Sequence, residues 1–266
     1  MSLVMTERIE RTVARMFPGE RELGCDARAL AWHAALLGAF AALCAGALPA
    51  WAFVLFGLCA YIRNFNAIHE AVHARADRHN PLRRLRQWAM IVHGPVQLGR
   101  DELASDHRRH HAHPGDPQRD PHVAVHSDHW TGALLQALFQ PELAAIQHVR
   151  RERAVRPGMR RALAYNAALS AALLALGGAN VVWWILVTRA GSTACWFIFD
   201  FLLHSPRLWG RADALPLPRP IQWLWSALFG RDNLHATRYH TLHHRFATVR
   251  DRDLPALARF LAAQPQ

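Results

Sequence analysis

Apolar residues along this chain come in long runs rather than in strict alternation. Two runs sit close together, at about 29–47 ("ALAWHAALLGAFAALCAGA") and 50–68 ("AWAFVLFGLCAYIRNFNAI"), and a second pair follows at about 161–177 and 180–203. Each is near the roughly 20 residues that a helix needs to cross a bilayer core. The joints "LP" and "GGAN" are short and uncharged, so each pair predicts a helical hairpin. The pattern thus predicts an all-α integral membrane protein with four transmembrane helices arranged as two hairpins.

Shorter apolar stretches complete the outline. "DHWTGALLQALFQPELAAI" (128–146) is interrupted by Pro141 and too polar to span, and "PIQWLWSALFG" (220–230) is shorter and rich in Trp. Both predict helices lying in the headgroup region, where Trp is favoured. The first twenty residues mix charges of both signs and lack an apolar core with a cleavage site. They are expected to form an interfacial amphipathic helix, not a signal peptide. No internal repeat or linker divides the chain, so residues 1–266 are expected to form a single domain.

Charge orients this outline. There are 31 basic residues against 20 acidic ones, all 31 of them Arg, for a formal charge of +11. Such a balance would suit nucleic acid, but no nucleic-acid fold signature accompanies it. Five arginines precede residue 29, fifteen fall in 68–161, nine follow 206, and neither joint has one. By the positive-inside rule the N-terminus, the middle segment and the C-terminus are cytoplasmic. The expected location is a bacterial inner membrane. Arg189 lies inside the fourth run, about two to three turns from "GGAN", and is expected to snorkel to the interface. The four cysteines lack C-x-x-C spacing and read as small buried hydrophobes.

The chemistry lies in the histidines. Of eighteen, eight fall into "HEAVH" (His69, His73), "HRRHH" (His107, His110, His111) and "HTLHH" (His240, His243, His244). Residues spaced i, i+3 and i+4 project from one helix face, so each box is expected to aim its imidazoles at a common point. Imidazole ligates iron, zinc, copper and nickel, and eight nitrogens exceed the three or four usual for one zinc. They suit two metal ions with open positions for oxygen chemistry, in a cap at the cytoplasmic ends of the spans. His204 in "DFLLHSP" is a ninth candidate ligand, with Asp200 four residues before it. Of the others, His33 is expected in the core or interface of the first span. His79, His113, His122, His126, His129 and His148 are expected in loops or on the surface. His93 and His235 lie in segments that pass close to the site.

At these residues the sequence resembles the membrane fatty acid desaturase superfamily. H-x-x-x-H followed by two H-x-x-H-H boxes spans 69–244, on the same two-hairpin topology. "HHAHPGDPQRDP" (110–121) resembles the tail of the second box, and "YHTLHHRFATVRDRDLPAL" (239–257) the closing region. The resemblance implies a di-iron centre, two Fe ions that use O2 as co-substrate to remove hydrogen from an unactivated C–H bond of a lipid. The ligands it implies are His69, His73, His107, His110, His111, His240, His243 and His244, and His204 matches the extra histidine of acyl desaturases. Asp200 departs from the Asn often found there. It would either ligate iron or orient a histidine, and Asn66 and Glu70 are further candidates to support the ligands. The chain carries no haem, flavin or iron–sulfur signature, which implies a separate ferredoxin, rubredoxin or cytochrome b5-like electron donor.

Fatty acyl desaturation is the first expectation, favoured by "DLPAL" (253–257). The alternative is a lipid or carotenoid hydroxylase or ketolase, favoured by the length of 266 residues and the Pro-Gly after the second box. Two distant alternatives remain. "HEAVH" also fits the H-E-x-x-H of zinc proteases, with Glu70 as base, but that leaves the other boxes without purpose. A metal-binding or transport protein would instead place its ligands near the bilayer midplane.

Overall fold

The computed structural model describes residues 3–122, 127–211 and 213–264. It is helical throughout, and the described residues form no strand beyond an isolated bridge between Arg21 and Arg75. After α1 (Leu3–Met16), the first hairpin consists of α2 (Glu22–Cys44) and α3 (Ala50–His73). Both are longer at their inner ends than the apolar runs, and that extra length carries "HEAVH" on the last turn of α3. The ends are tied together, with Arg75 N donating to Glu20 O at 3.0 Å and Glu22 N to Arg75 O at 3.2 Å. Asn64 of α3 reaches back to the Ala29 and Ala89 carbonyls at 2.8 and 2.7 Å.

Three stretches are long and apolar enough to cross a membrane: Glu22–Cys44, Ala50–His73 and Pro157–Leu202. The last is not a single rod. α7 (Pro157–Gly177) closes in a 3-10 turn at Gly178–Asn180, where Gly178 takes φ +50°, and α8 (Val181–Trp196) sets out from it. Gly177 lies against Phe40 of α2, and so does Trp184 of α8, at 5.4 Å between ring centroids. The two helices therefore leave the same end of the bundle, and α8 runs down α3 until Trp196 meets Phe65 at 5.6 Å.

Small residues let α3 and α8 approach, as is usual where lipid gives no hydrophobic drive between helices. A Cβ at Gly57 would stand 2.8 Å from Val187 Cγ1, and one at Gly191 would stand 2.4 Å from Tyr61 Cδ1. Outside this seam, Trp51, Leu55, Leu174, Leu176, Val182 and Ile185 are exposed. Large apolar side chains exposed on helices long enough to cross a membrane suit acyl chains better than water.

The connecting segments differ from their sequence outline. Residues 128–146 fall into two helices, α5 (Trp130–Leu138) and α6 (Gln140–Glu152), after α4 (Arg100–Ala112). Pro141 starts α6, where its missing N–H leaves no bond unmade. These helices pack on α8, and Arg189 does not snorkel. Its guanidinium meets the Glu142 carboxylate of α6 and donates to Leu138 O at 3.1 Å. An apolar environment favours pairing a cation over leaving it free, and α6 supplies the partner. The amphipathic α1 is likewise covered by protein, since Ile9 and Val13 pack on Leu242, Phe246, Leu254 and Leu257. α9 (Arg219–Phe229) does lie outermost, with no buried residue and Trp223 exposed, and Arg63 of α3 donates to its Ala227 and Leu228 carbonyls. The chain ends in α10 (Arg231–Arg238), α11 (His240–Arg245) and α12 (Leu254–Ala262).

Close approach at Gly191 sets a direct expectation. Gly191→Ala forces Tyr61 or the α3–α8 seam to move, costing about 1–3 kcal/mol despite the gain in helix propensity. Thermal unfolding in detergent checks it: a melting temperature equal to the parent's would mean the seam tolerates a Cβ.

Candidate metal centre

Three chain segments converge below the inner ends of α2 and α3. The last turn of α3 carries His69 and His73, α4 carries His107, His110 and His111, and the short α11 carries His240, His243 and His244. A fourth contribution comes from α8, which widens past Trp196 into a π-helical turn, Phe197–Leu202, before His204. Such turns are rare and frequently mark functional sites. Here the turn holds Asp200 buried and lets His204 Nδ1 donate to the Phe199 carbonyl at 2.8 Å.

The histidines do not gather at one point per box. Donor atoms of His69, His73, His107, His111 and His243 all lie within 4.8 Å of one another, and those of His110, His204 and His244 form a second such group. Each H-x-x-H-H box is thus divided between the groups. The reason is helical geometry: residues i and i+4 are about 40° apart around the axis, whereas neighbours are about 100° apart. His107 and His111 therefore face one group while His110 faces the other, and the adjacent His243 and His244 part in the same way. His240 stands beside the second group, its ring centroid 4.8 Å from that of His204 and 4.7 Å from that of His244.

A carboxylate holds one of these rings, and a second carboxylate stands close to another. His110 Nδ1 donates to Asp120 Oδ2 at 2.9 Å, and Asp120 also accepts from Gly115 N and His122 N. His243 Nδ1 lies 3.3 Å from Asp251 Oδ1. At His110, fixing Nδ1 in this way leaves Nε2 as the lone-pair nitrogen, the arrangement common in metal-bound imidazoles. Glu70 does not serve this purpose: it is paired at 2.7 Å with Arg28 of α2, which is not the posture of a general base between His69 and His73. Asn66 is buried, and among the described residues it bonds no box histidine.

The residues present fit a metal. Nε2 of His73, His204, His240, His243 and His244 is buried without a hydrogen-bond partner, as is Nδ1 of His111. His107 and His111 approach Nε2 to Nε2 at 3.0 Å, a contact that allows at most one proton between them. Burial first, then the neighbouring imidazoles, hold His107, His110, His240 and His244 well below the ordinary imidazole pKa. Burial brings His243 down to about 4. These rings are neutral at physiological pH, the form that binds metal.

Two histidines expected in loops are buried instead. His148 faces Asp106 at 3.1 Å, in a cluster with Arg151 away from the centre. His122 is part of the centre: it is 3% exposed, its Nδ1 donates to Asp200 at 3.1 Å, and its ring stacks on His110 at 4.0 Å. Burial alone would lower its pKa, but the Asp200 carboxylate raises it above the ordinary value. Asp200 thus engages a histidine from the loop after the second box. The only sequence signal was the length of the tail "HPGDPQRDPH" (113–122), which folds back on its own helix through Asp120. His33 is buried against the Trp88 carbonyl, His93 bonds Tyr61 at 2.6 Å, and His235 is half-buried on α10. His79 and His129 are exposed and His113 is half-buried, while His126 lies outside the described residues.

The family model described as fatty acid desaturase matches residues 45–266. No curated protein and no solved structure matches the chain. The family match covers most of the sequence, including every histidine box, and the chain belongs to the fatty acid desaturase family. Membership makes it an oxidoreductase of desaturase or hydroxylase type.

Removing the carboxylate behind one ring checks the centre without touching a candidate ligand. Asp120→Asn is expected to weaken metal binding by about 10–100-fold, read by chelator competition on folded, detergent-purified protein. Unchanged retention of metal would detach Asp120 from the centre.

Proposed function

We propose that this member of the fatty acid desaturase family is an O2-dependent di-iron membrane enzyme that desaturates a fatty acyl chain. Two irons, when bound, supply the O2 activation that breaking an unactivated C–H bond requires. His69, His73, His107, His111 and His243 would hold one, and His110, His204, His240 and His244 the other. In this reading α7 and α8 each cross the membrane, making four spans, and the boxes and both termini face the cytoplasm.

The observation that carries the lipid substrate is the apolar cavity beside the histidines. Its lining includes Phe65, Leu103 and Trp196, each one helical turn before His69, His107 and Asp200 respectively, with Ile68, Met90 and Leu98 further along the wall. Helical register therefore sets the metal groups beside an apolar cavity walled by α3, Trp196, residues 90–98, Leu103 and α6. A chain bound there would lie beside the imidazoles among apolar side chains and be kept from water, which protects reactive chemistry from side reactions. Polar groups at the far side, Tyr61, His93, Gln97 and Gln140, bound the cavity.

Desaturation consumes O2, two electrons and two protons beyond the two substrate hydrogens, and releases two waters, so reducing equivalents must come from another protein. A cleft on the opposite side reaches His73, His111 and His244 from the surface, with Arg108 and Arg245 exposed on its walls. An acidic ferredoxin, rubredoxin or cytochrome b5-like carrier would dock there by charge complementarity. The alternative of a lipid or carotenoid hydroxylase or ketolase shares the centre and differs only in the fate of the substrate radical.

Mass spectrometry of host lipids separates these outcomes. Expression of the parent chain should produce acyl chains lighter by two hydrogens, absent with His243→Ala. A gain of oxygen would make it a hydroxylase or ketolase, and no change in any lipid would contradict oxidation of host lipid. For the docking face, the double variant Arg108→Gln, Arg245→Gln should raise KM for an acidic carrier severalfold at low salt while kcat holds. That difference should fade at high ionic strength. A salt-independent fall in kcat would place both arginines in the centre rather than at a docking face.

A further inference from the structure

We propose that His122 is a tenth nitrogen ligand of the metal centre, joining the group of His110, His204 and His244, and that Asp200 is the positioning residue that holds it there. This rests on the centre binding metal, as proposed above. Four observations support it. His122 Nδ1 donates to Asp200 Oδ1 at 3.1 Å, which makes Nε2 the nitrogen that a cation would take, displacing any proton there. That Nε2 is buried and has no hydrogen-bond partner. The ring stacks on His110 at 4.0 Å with 17° between planes and lies 5.5 Å from His107, so it stands within the imidazole cluster rather than behind it. Donor atoms of His110, Asp120 and His122 form a third group within 4.8 Å of one another, joined to that of His204 and His244 through His110.

The arrangement repeats that of His110, whose Nδ1 is taken by Asp120. Asp120 links the two, accepting from His110 Nδ1 and from the backbone N–H of His122 at 2.9 Å. One carboxylate therefore sets both the angle of the box ring and the start of the loop that delivers His122. A purely structural ion pair would account for the Nδ1–Asp200 contact, but not for leaving Nε2 buried and unpartnered among imidazoles. A buried polar atom left unpaired costs about 1–3 kcal/mol, whereas coordination removes that cost.

The variant that separates the two roles is His122→Asn. Its side-chain amide can still donate to Asp200, as Nδ1 does, but it has no atom in the place of Nε2. Asp200→Asn serves as the companion variant. Full-length protein in detergent is titrated with Fe(II) and Co(II), with Mössbauer spectra of the iron form and ligand-field absorption of the cobalt form. Unfolding temperature is recorded to confirm a folded chain. The expected result is that His122→Asn weakens one of two metals at least tenfold and alters its spectrum, leaving the other unchanged. Asp200→Asn should weaken the same metal by about 10–100-fold. Parent-like affinity and spectra in His122→Asn would overturn the assignment and leave a structural ion pair. If the parent chain itself bound neither metal, the di-metal reading would fall, and this assignment with it.

Discussion

A buried nitrogen that finds no hydrogen-bond partner costs the folded state about 1–3 kcal/mol, and this fold concentrates such nitrogens in one place. Those of His73, His111, His204, His240, His243 and His244 all face inward without a protein donor. Neutral imidazoles cannot satisfy one another in such numbers, because each shared contact, like that between His107 and His111, needs a proton that only one ring can give. A cation accepts several lone pairs at once and removes the conflict. The rest of the architecture can be read as the means of bringing these rings together and holding their other nitrogens.

Holding them falls to helix ends and carboxylates. α3 extends past its apolar run so that His69 and His73 stand at its inner end, and the bonds between Arg75 and residues 20 and 22 stop that end from fraying. α4 and α11 are short and polar, and apolar neighbours hold them: Leu242 of α11 packs with Ile9 and Val13 of the first helix, and Leu103 of α4 packs against the clusters of Ile68 and of Leu98. Asp120 and Asp251 then approach individual rings. The long apolar helices therefore act as a frame with the centre at one end, and the cavity one turn before His69 lies between the same elements.

Much of this was legible in the residues. The apolar runs gave the long apolar helices, although α2 starts seven residues before its run and α3 ends five after it, and the three boxes gave most of the histidines that the fold brings together. Other features depend on tertiary contact that no local pattern carries. Division of each H-x-x-H-H box between two groups follows from helical rotation, but only once neighbouring helices supply rings on both sides. Arg189 was read as a lone cation in a span, because Glu142 lies 47 positions earlier in the chain. His122 lay in an apparent loop, and its pairing with Asp200 spans 78 positions. The π-helical turn at Phe197–Leu202 is equally silent in sequence, since its residues would suit an ordinary helix.

The proposed centre of two irons differs from one structural ion, or from none, in its metal content. Metal analysis of the chain, purified in detergent without added chelator and measured by plasma mass spectrometry, tests it most directly. About two irons per chain are expected. One zinc per chain, or no bound metal in a protein that unfolds cooperatively, would contradict it.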